Sequence, residues 1–104
     1  MLIDFRTRET GEDALRVSVT GDFGPDAPPD SMVHALAVAI EASPARHVEI
    51  DLSGLVWLTL EGLGALVSLK RYVDGLGRTL RIVDASEQAA KALERSGLAS
   101  WFES

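Results

Sequence analysis

The sequence predicts an α/β domain in which helices pack on a small mixed sheet that opens with a β-hairpin. Apolar and polar side chains alternate along residues 14–20, as in a strand with one covered face. Apolar residues recur at steps of three and four from Leu63 to Leu76, as on one face of a helix. That helix separates two strand-like segments, 47–52 and 79–83, and such a β-α-β unit forces parallel pairing. We expect four to five strands.

The first strands are residues 2–7 and 14–20, because both alternate with period two. A polar link that contains Gly11 joins them, which favours an antiparallel hairpin. Residues 21–30 are predicted to be a loop, since they hold two glycines, three prolines and three aspartates. A helix capped by Asp30 or Ser31 follows and ends at Ser43-Pro44.

The second half begins with the strand at 47–52, for which Ser53-Gly54 is predicted to be the turn. Residues 55–58 form an apolar connector to a helix at 62–75, with Lys70, Arg71 and Asp74 off its apolar stripe. After the strand at 79–83, Ser86 is suited to cap a third helix that runs to about Arg95. Gly97 fits the position after that helix, and residues 98–102 form a short apolar tail.

Length and composition narrow the class of protein. The 104 residues predict one domain, residues 1–104, and an apolar fraction of 46% is enough for a packed core. The absence of cysteine excludes a disulfide scaffold, a thiolate metal site and a cysteine nucleophile. No apolar run has the length of a signal peptide or membrane span, so we expect a cytoplasmic protein. The net charge of −6 disfavours nucleic-acid binding.

The candidate site lies where two loops leave the carboxyl ends of strands. These loops are residues 21–30 and 53–62, and they share one edge of the sheet if their strands are neighbours. The second loop ends at the N-terminus of a helix, where unpaired N–H groups and the helix dipole favour negative charge. We therefore expect the binding surface at this edge.

The motif at that helix, Thr59-Leu60-Glu61-Gly62, together with Asp51 to Leu58 before it, resembles the signature of the STAS domain. Val19-Thr20-Gly21-Asp22-Phe23 is similar to the family's strand that ends in Gly-Glu-Leu-Asp. Residues 77–84 resemble its Gly-Gly-x-Leu strand, and residues 93–98 its closing helix and Gly-Leu turn. The resemblance covers nearly the whole chain and is strongest for anti-sigma-factor antagonists. It implies a non-enzymatic domain that binds an anti-sigma factor with serine-kinase activity.

The chain departs from the family at the residues of the switch. There the helix usually begins with Asp-Ser-Ser-Gly or Asp-Ser-Thr-Gly, and the first serine is phosphorylated. Leu60 occupies that position and has no hydroxyl group, while Thr59 replaces the aspartate and Glu61 a hydroxyl residue. Gly24 stands where the first loop often has another aspartate. We therefore expect binding that phosphorylation at position 60 does not switch.

Each residue of the motif also has a purely structural interpretation. Thr59 is either a helix cap, for which threonine is a preferred residue, or a displaced phosphoacceptor. Glu61 stabilises a helix N-terminus through the dipole, by about 0.3–1 kcal/mol, or supplies a fixed charge in place of a phosphate. Leu60 fits a partner contact or the core equally well. Gly62 and Gly64 suggest a close approach, either of helix to sheet or of a partner.

These interpretations give one predicted set of partner-binding residues and several functions that remain open. The set is Asp22, Phe23, Gly24, Asp26, Thr59, Leu60, Glu61 and Gly62. No catalytic residue, cofactor or metal is predicted, because the two histidines lack ligand spacing and the aspartates of the first loop lack a calcium-loop pattern. The alternatives are a subunit of a transport or signalling assembly, for example with an ATP-binding-cassette ATPase, and a sensor of a small ligand or nucleotide. Homodimerisation is left open.

Overall fold

The structure is a computed structural model that describes residues 4–11, 13–23 and 29–98. Within those residues strands and helices alternate after an initial pair of strands, as the sequence predicts. The elements are β1 (Asp4–Glu9), β2 (Ala14–Phe23), α1 (Pro29–Glu41), β3 (His47–Leu58), α2 (Leu60–Gly75), β4 (Thr79–Ala85) and α3 (Glu87–Ser96).

The sheet is mixed and has the order β1-β2-β3-β4. β1 and β2 form the predicted antiparallel hairpin, in which Phe5 lies opposite Val19. β2 pairs with β3 and β3 with β4, both in parallel. The helices α1 and α2 are therefore crossover connections, and they pack against each other. α3 packs against β3 and β4. This arrangement confirms the predicted α/β class.

The core forms where the covered face of the sheet meets the apolar stripes of the helices. Alternate residues of β2 are buried, namely Leu15, Val17 and Val19, while Arg16 and Ser18 between them are partly exposed. The predicted stripe of α2 is buried in the same core from Leu63 to Val73, whereas its last residue, Leu76, is 41% exposed, so the prediction is wrong for that residue. The other large buried side chains include Leu36, Ile40, Val48, Ile50, Leu52, Leu63, Leu66, Leu69, Val73 and Leu80. Burial of this apolar area, at about 25 cal/mol per Å², is the main force that holds helices to sheet.

The predicted turn at Ser53-Gly54 is wrong, because β3 continues without a break to Leu58. The pairing of β2 with β3 explains why: its register shifts between Ser18 and Thr20 and again between Gly21 and Asp22. These irregularities accommodate extra residues in β3 and keep both strands in one sheet. The predicted apolar connector at 55–58 is therefore the last part of a long strand.

Other boundaries also move. β2 extends to Phe23, so Gly21 belongs to a strand and not to the predicted loop. α1 begins at Pro29, which suits a first helical position because proline has no N–H to leave unpaired there. The predicted caps, Asp30 and Ser31, therefore lie inside the helix. α2 begins at Leu60, two residues earlier than predicted.

α3 and its two ends follow the prediction closely. Ser86 caps α3, and its hydroxyl oxygen accepts a hydrogen bond from the Ala89 N–H at 3.1 Å. Gly97 follows α3 with φ 75°, the left-handed conformation that glycine adopts without steric cost. Of the predicted apolar tail at 98–102, only Leu98 lies among the described residues, where it is half-buried against the core.

Lys70, which the sequence places off the apolar stripe of α2, is nevertheless buried. Its ammonium group lies 3.4 Å from the Asp74 carboxylate, one helical turn away. Lysine can bury its aliphatic stem along apolar surface and keep its charge near a carboxylate, which explains the position. Within the described ranges, no helix combines the length and apolar character needed to cross a bilayer.

Candidate functional site

The carboxyl ends of β2 and β3 lie side by side. Asp22 pairs with Trp57 and Phe23 pairs with Leu58 in the last positions of the parallel ladder. Thr59 follows at once and α2 begins at the next residue. The start of the first predicted loop and the start of the second helix therefore share one edge, which we call the β2–β3 edge (residues 22–23 and 58–62).

Thr59 is the N-cap of α2. Its backbone is extended, with φ −93° and ψ 175°, and its hydroxyl oxygen accepts a hydrogen bond from the Gly62 N–H at 3.2 Å. Its carbonyl oxygen accepts from the Leu63 N–H at 2.9 Å. These bonds satisfy two backbone donors of the first helical turn, so Thr59 fixes where the helix starts. The capping role is the one that the sequence favours.

Leu60 and Glu61 occupy the first two positions of α2. This is the turn where unpaired N–H groups and the dipole concentrate positive potential. A leucine at the first position supplies no oxygen to which a phosphoryl group could be attached. A carboxylate at the second position suits the dipole. The structure therefore places Leu60 and Glu61, which the resemblance aligns with the family's switch, directly at the helix N-terminus.

The two glycines of the motif have different surroundings. Gly62 is buried. Gly64 is exposed, and a Cβ atom built there would meet no heavy atom within 4 Å. A close helix–sheet approach therefore does not explain Gly64, and that interpretation is wrong for this residue. Two further predicted site residues, Gly24 and Asp26, lie outside the described residues.

The sequence-based predictions did not include an open groove that lies beside the β2–β3 edge. It has a volume of about 290 Å³ and runs between the end of β3 and α3. Its apolar part includes Val56, which is 59% exposed, and the half-buried Leu58. Lys91 and Arg95 of α3 also line it. The available signal was the strand period, because Leu55 is buried and Val56 next to it is exposed.

The fold changes the pKa of Asp51, a residue of β3. Its carboxylate accepts a hydrogen bond from the Ser53 N–H at 2.9 Å. Hydrogen bonding from Ser53, through side chain and backbone, lowers the pKa of Asp51 below its usual 3.8, with a smaller contribution from the nearby Arg16; partial burial opposes this. Asp51 therefore remains a carboxylate in acid where an unpaired aspartate is already protonated.

Nothing in the described part of the chain forms a metal centre, since no three of its histidine, aspartate and glutamate side chains are grouped to hold an ion. His47, one of the two histidines, has its Nδ1 2.8 Å from the Thr79 hydroxyl oxygen, a contact between neighbouring strands. The β2–β3 edge presents a capped helix N-terminus, two adjacent strand ends and the half-buried Leu58.

This fold and this edge define a small α/β binding domain. The chain belongs to the STAS domain family, because the family model described as "Mlab, STAS domain" matches residues 6–102. That match confirms the family expected from the motifs at residues 59–62, 19–23 and 77–84. Membership supports a regulatory role through protein interaction. Comparison with curated protein sequences gives no match.

Solved structures with this fold include anti-sigma-factor antagonists. One from Mycobacterium paratuberculosis has a TM-score of 0.80 at 21% identity, over 97% of this chain and 83% of its own. Unphosphorylated SpoIIAA has a TM-score of 0.74 at 14% identity, over 94% and 84%. Phosphorylated SpoIIAA from Bacillus has a TM-score of 0.67 at 15% identity, over 94% and 87%. At these identities the similarity shows the shared fold.

Proposed function

We propose that this domain is a non-enzymatic regulator that binds an anti-sigma factor of the serine-kinase type through the β2–β3 edge. The observation that carries the proposal is Leu60 at the first position of α2, where the family's phosphoacceptor serine stands. The domain keeps the binding scaffold and lacks the hydroxyl group. Phosphorylation at that position therefore does not switch its binding on or off.

The geometry of the edge supports a protein partner. Strand ends 22–23 and the first turn of α2 are adjacent, so one partner surface can contact both. The cap formed by Thr59 holds this turn in place before binding, and a preformed surface loses less conformational entropy when it binds. Val56 and Leu58 extend the edge with apolar surface, which suits a protein contact.

The proposal is tested by calorimetric titration with a serine-kinase-type anti-sigma factor from the same genome. Leu60→Glu places a charge in the centre of the proposed contact, and we expect it to weaken binding at least tenfold, because desolvating an unpaired charge costs well over about 1.4 kcal/mol. Leu76→Glu is the matched control. It makes the same exchange at the other end of α2, roughly 24 Å away, at a side chain that is 41% exposed.

The control variant should bind like the wild type. Equal affinities for Leu60→Glu, Leu76→Glu and the wild type would contradict the placement of the interface at the β2–β3 edge. No binding by the wild type would contradict the proposed partner class. Circular dichroism of each variant before titration shows that the fold is retained.

A stable subunit of a transport or signalling assembly is the second candidate, and the same residue favours it. A leucine in place of a phosphoacceptor suits an interface that is formed permanently and is never released by a kinase. Co-expression with an ATP-binding-cassette ATPase encoded nearby, followed by size-exclusion chromatography, separates the two. A complex of fixed stoichiometry that survives dilution supports the subunit role, while a complex that exchanges within the run contradicts it.

A further inference from the structure

The face of the hairpin that turns away from the core concentrates arginine. In β2, Leu15, Val17 and Val19 point into the core, so Arg16 points to the opposite face. Arg8 lies opposite Arg16, and Arg6 is two residues before Arg8 in β1, so both share this face with Arg16. They line a shallow concavity of about 410 Å³ with Ser18 and Asp51. We call this surface the arginine face (Arg6, Arg8 and Arg16). It holds three of the ten cationic residues of a chain whose net charge is −6.

The pairing of the strands makes this arrangement electrostatically costly. Arg8 lies directly opposite Arg16 in the antiparallel ladder, and like charges at such positions repel each other. Arg6 and Arg8 are exposed, and neither has a carboxylate within ion-pair distance among the described residues. The repulsion is therefore not relieved within the hairpin. A bound anion would remove it.

The carboxylates nearest to these arginines are already engaged. One Glu49 oxygen is 3.4 Å from an Arg16 terminal nitrogen and accepts from the Thr10 hydroxyl at 3.4 Å. Asp51 accepts from the Ser53 N–H. The Nε atom of Arg16 is buried and has no hydrogen-bond partner among the described residues. The arginine face therefore keeps unused donors with the planar geometry that binds carboxylates.

We infer that the arginine face is a second interaction surface, one that binds an acidic segment of a partner protein. Charge complementarity selects this occupant, because the face is cationic in an acidic domain and guanidinium groups pair in bidentate fashion with carboxylates. The concavity is open, and the residues that line it all have charged or polar side chains, which suits an extended segment. Arg6 and Arg8 are two residues apart on one strand, so a segment with acids at alternate positions matches their spacing.

The arginine face is distinct from the β2–β3 edge. Arg8 and Arg16 lie near the start of β2, while the edge lies at the carboxyl ends of β2 and β3. A partner segment on the arginine face therefore leaves the N-terminus of α2 free to bind another partner. The two surfaces give the domain the means to hold two partners, or two parts of one partner, at the same time.

The test is an NMR titration of the ¹⁵N-labelled domain with hexaglutamate at low salt. We expect amide shifts centred on residues 6–8 and 16–18, and their loss when the salt concentration is raised. Arg6→Gln/Arg8→Gln should weaken the binding roughly fivefold or more, since two exposed charge pairs are lost. Arg46→Gln/Arg71→Gln is the control, because it removes two exposed charges from outside the face, and it should change the affinity less than about twofold.

Each other outcome overturns the inference. Absence of shifts with hexaglutamate, or equal weakening in both double variants, means that the face does not select acidic segments. Shifts at these residues with inorganic phosphate but not with hexaglutamate assign the face to a small anion instead. Both double variants replace exposed side chains, and their melting temperatures confirm that they are folded before titration.

Discussion

Gly54 of β3 lies against Thr20 of β2, and replacing it with alanine tests how closely the two strands approach. A Cβ atom at position 54 would lie 2.6 Å from the Thr20 Cγ2 and 3.3 Å from its Cβ. Carbon atoms in favourable contact are about 3.5–4.0 Å apart. Alanine therefore requires a displacement of roughly 1 Å next to the first register shift between these strands.

The cost follows from that displacement. Both residues are exposed, but the Thr20 Cβ at 3.3 Å limits how far a rotamer change can relieve the contact, so we expect a cost of about 1 kcal/mol, at the lower end of the range for an extra carbon in a packed core. For a domain of this size, such a loss lowers the melting temperature by roughly 4–8 °C. The φ angle of Gly54 is not in the positive range, so steric contact and not backbone conformation is the cause.

A double-mutant cycle identifies the contact. Thr20→Ser removes the Cγ2 methyl group, so Gly54→Ala should cost less than half as much in that background as in the wild type. Urea unfolding followed by circular dichroism gives each free energy of unfolding. A Gly54→Ala variant within about 0.5 kcal/mol of the wild type would refute the strand geometry. So would an undiminished cost in the Thr20→Ser background, since the methyl group would then not be the obstacle.

Three further predictions concern caps and charge. Thr59→Ala should lower the free energy of unfolding by about 1 kcal/mol or more and Thr59→Ser by much less, because serine keeps the capping oxygen; thermal denaturation measures both. Ser86→Ala should cost about 1 kcal/mol in the same assay, with Ser86→Asp as the control that retains a cap. Hydrogen bonding from Ser53 is the main reason why the pKa of Asp51 is lower in the folded protein than in the unfolded chain. The ionised Asp51 therefore stabilises the fold at pH values above its unfolded pKa, and this stabilisation is lost as the pH falls through its folded pKa. Unfolding between pH 2 and 5 should therefore depend on pH less steeply in Asp51→Asn than in the wild type.

The fold could be predicted from local signals wherever one interaction dominates. Alternation in residues 14–20 reflects one buried face, and Ser86 and Gly97 mark the ends of α3 through local hydrogen bonding and backbone conformation. The prediction of a turn at Ser53-Gly54 was wrong, although serine and glycine are common in turns. Here the glycine makes room for Thr20 of a neighbouring strand, and a contact between residues so distant in sequence leaves no local pattern.

The candidate site could be predicted in part, for the same reason. Adjacent strand ends and the Thr59 cap follow from the β-α-β order and from capping preferences. The strand period indicates that Val56 is exposed, but the groove depends on where α3 packs beside β3, and the arginine face depends on which strands are neighbours and in what register. Neither arrangement could be predicted from local sequence patterns. Arg8 and Arg16 are unremarkable in the sequence and become a pair only when β1 folds onto β2.

The most direct test of the central claim is phosphorylation at position 60 with a serine-kinase-type anti-sigma factor and ATP. Intact-mass spectrometry should show no added phosphoryl group, about 80 Da, on the wild type. Leu60→Ser restores a hydroxyl group at the first position of α2, so this variant should gain one phosphoryl group and lose affinity for the kinase. Phosphorylation of the wild type within residues 59–61 would contradict the account, because Thr59 would then act as the switch. If the kinase does not phosphorylate Leu60→Ser, then it does not recognise the N-terminus of α2 as a substrate.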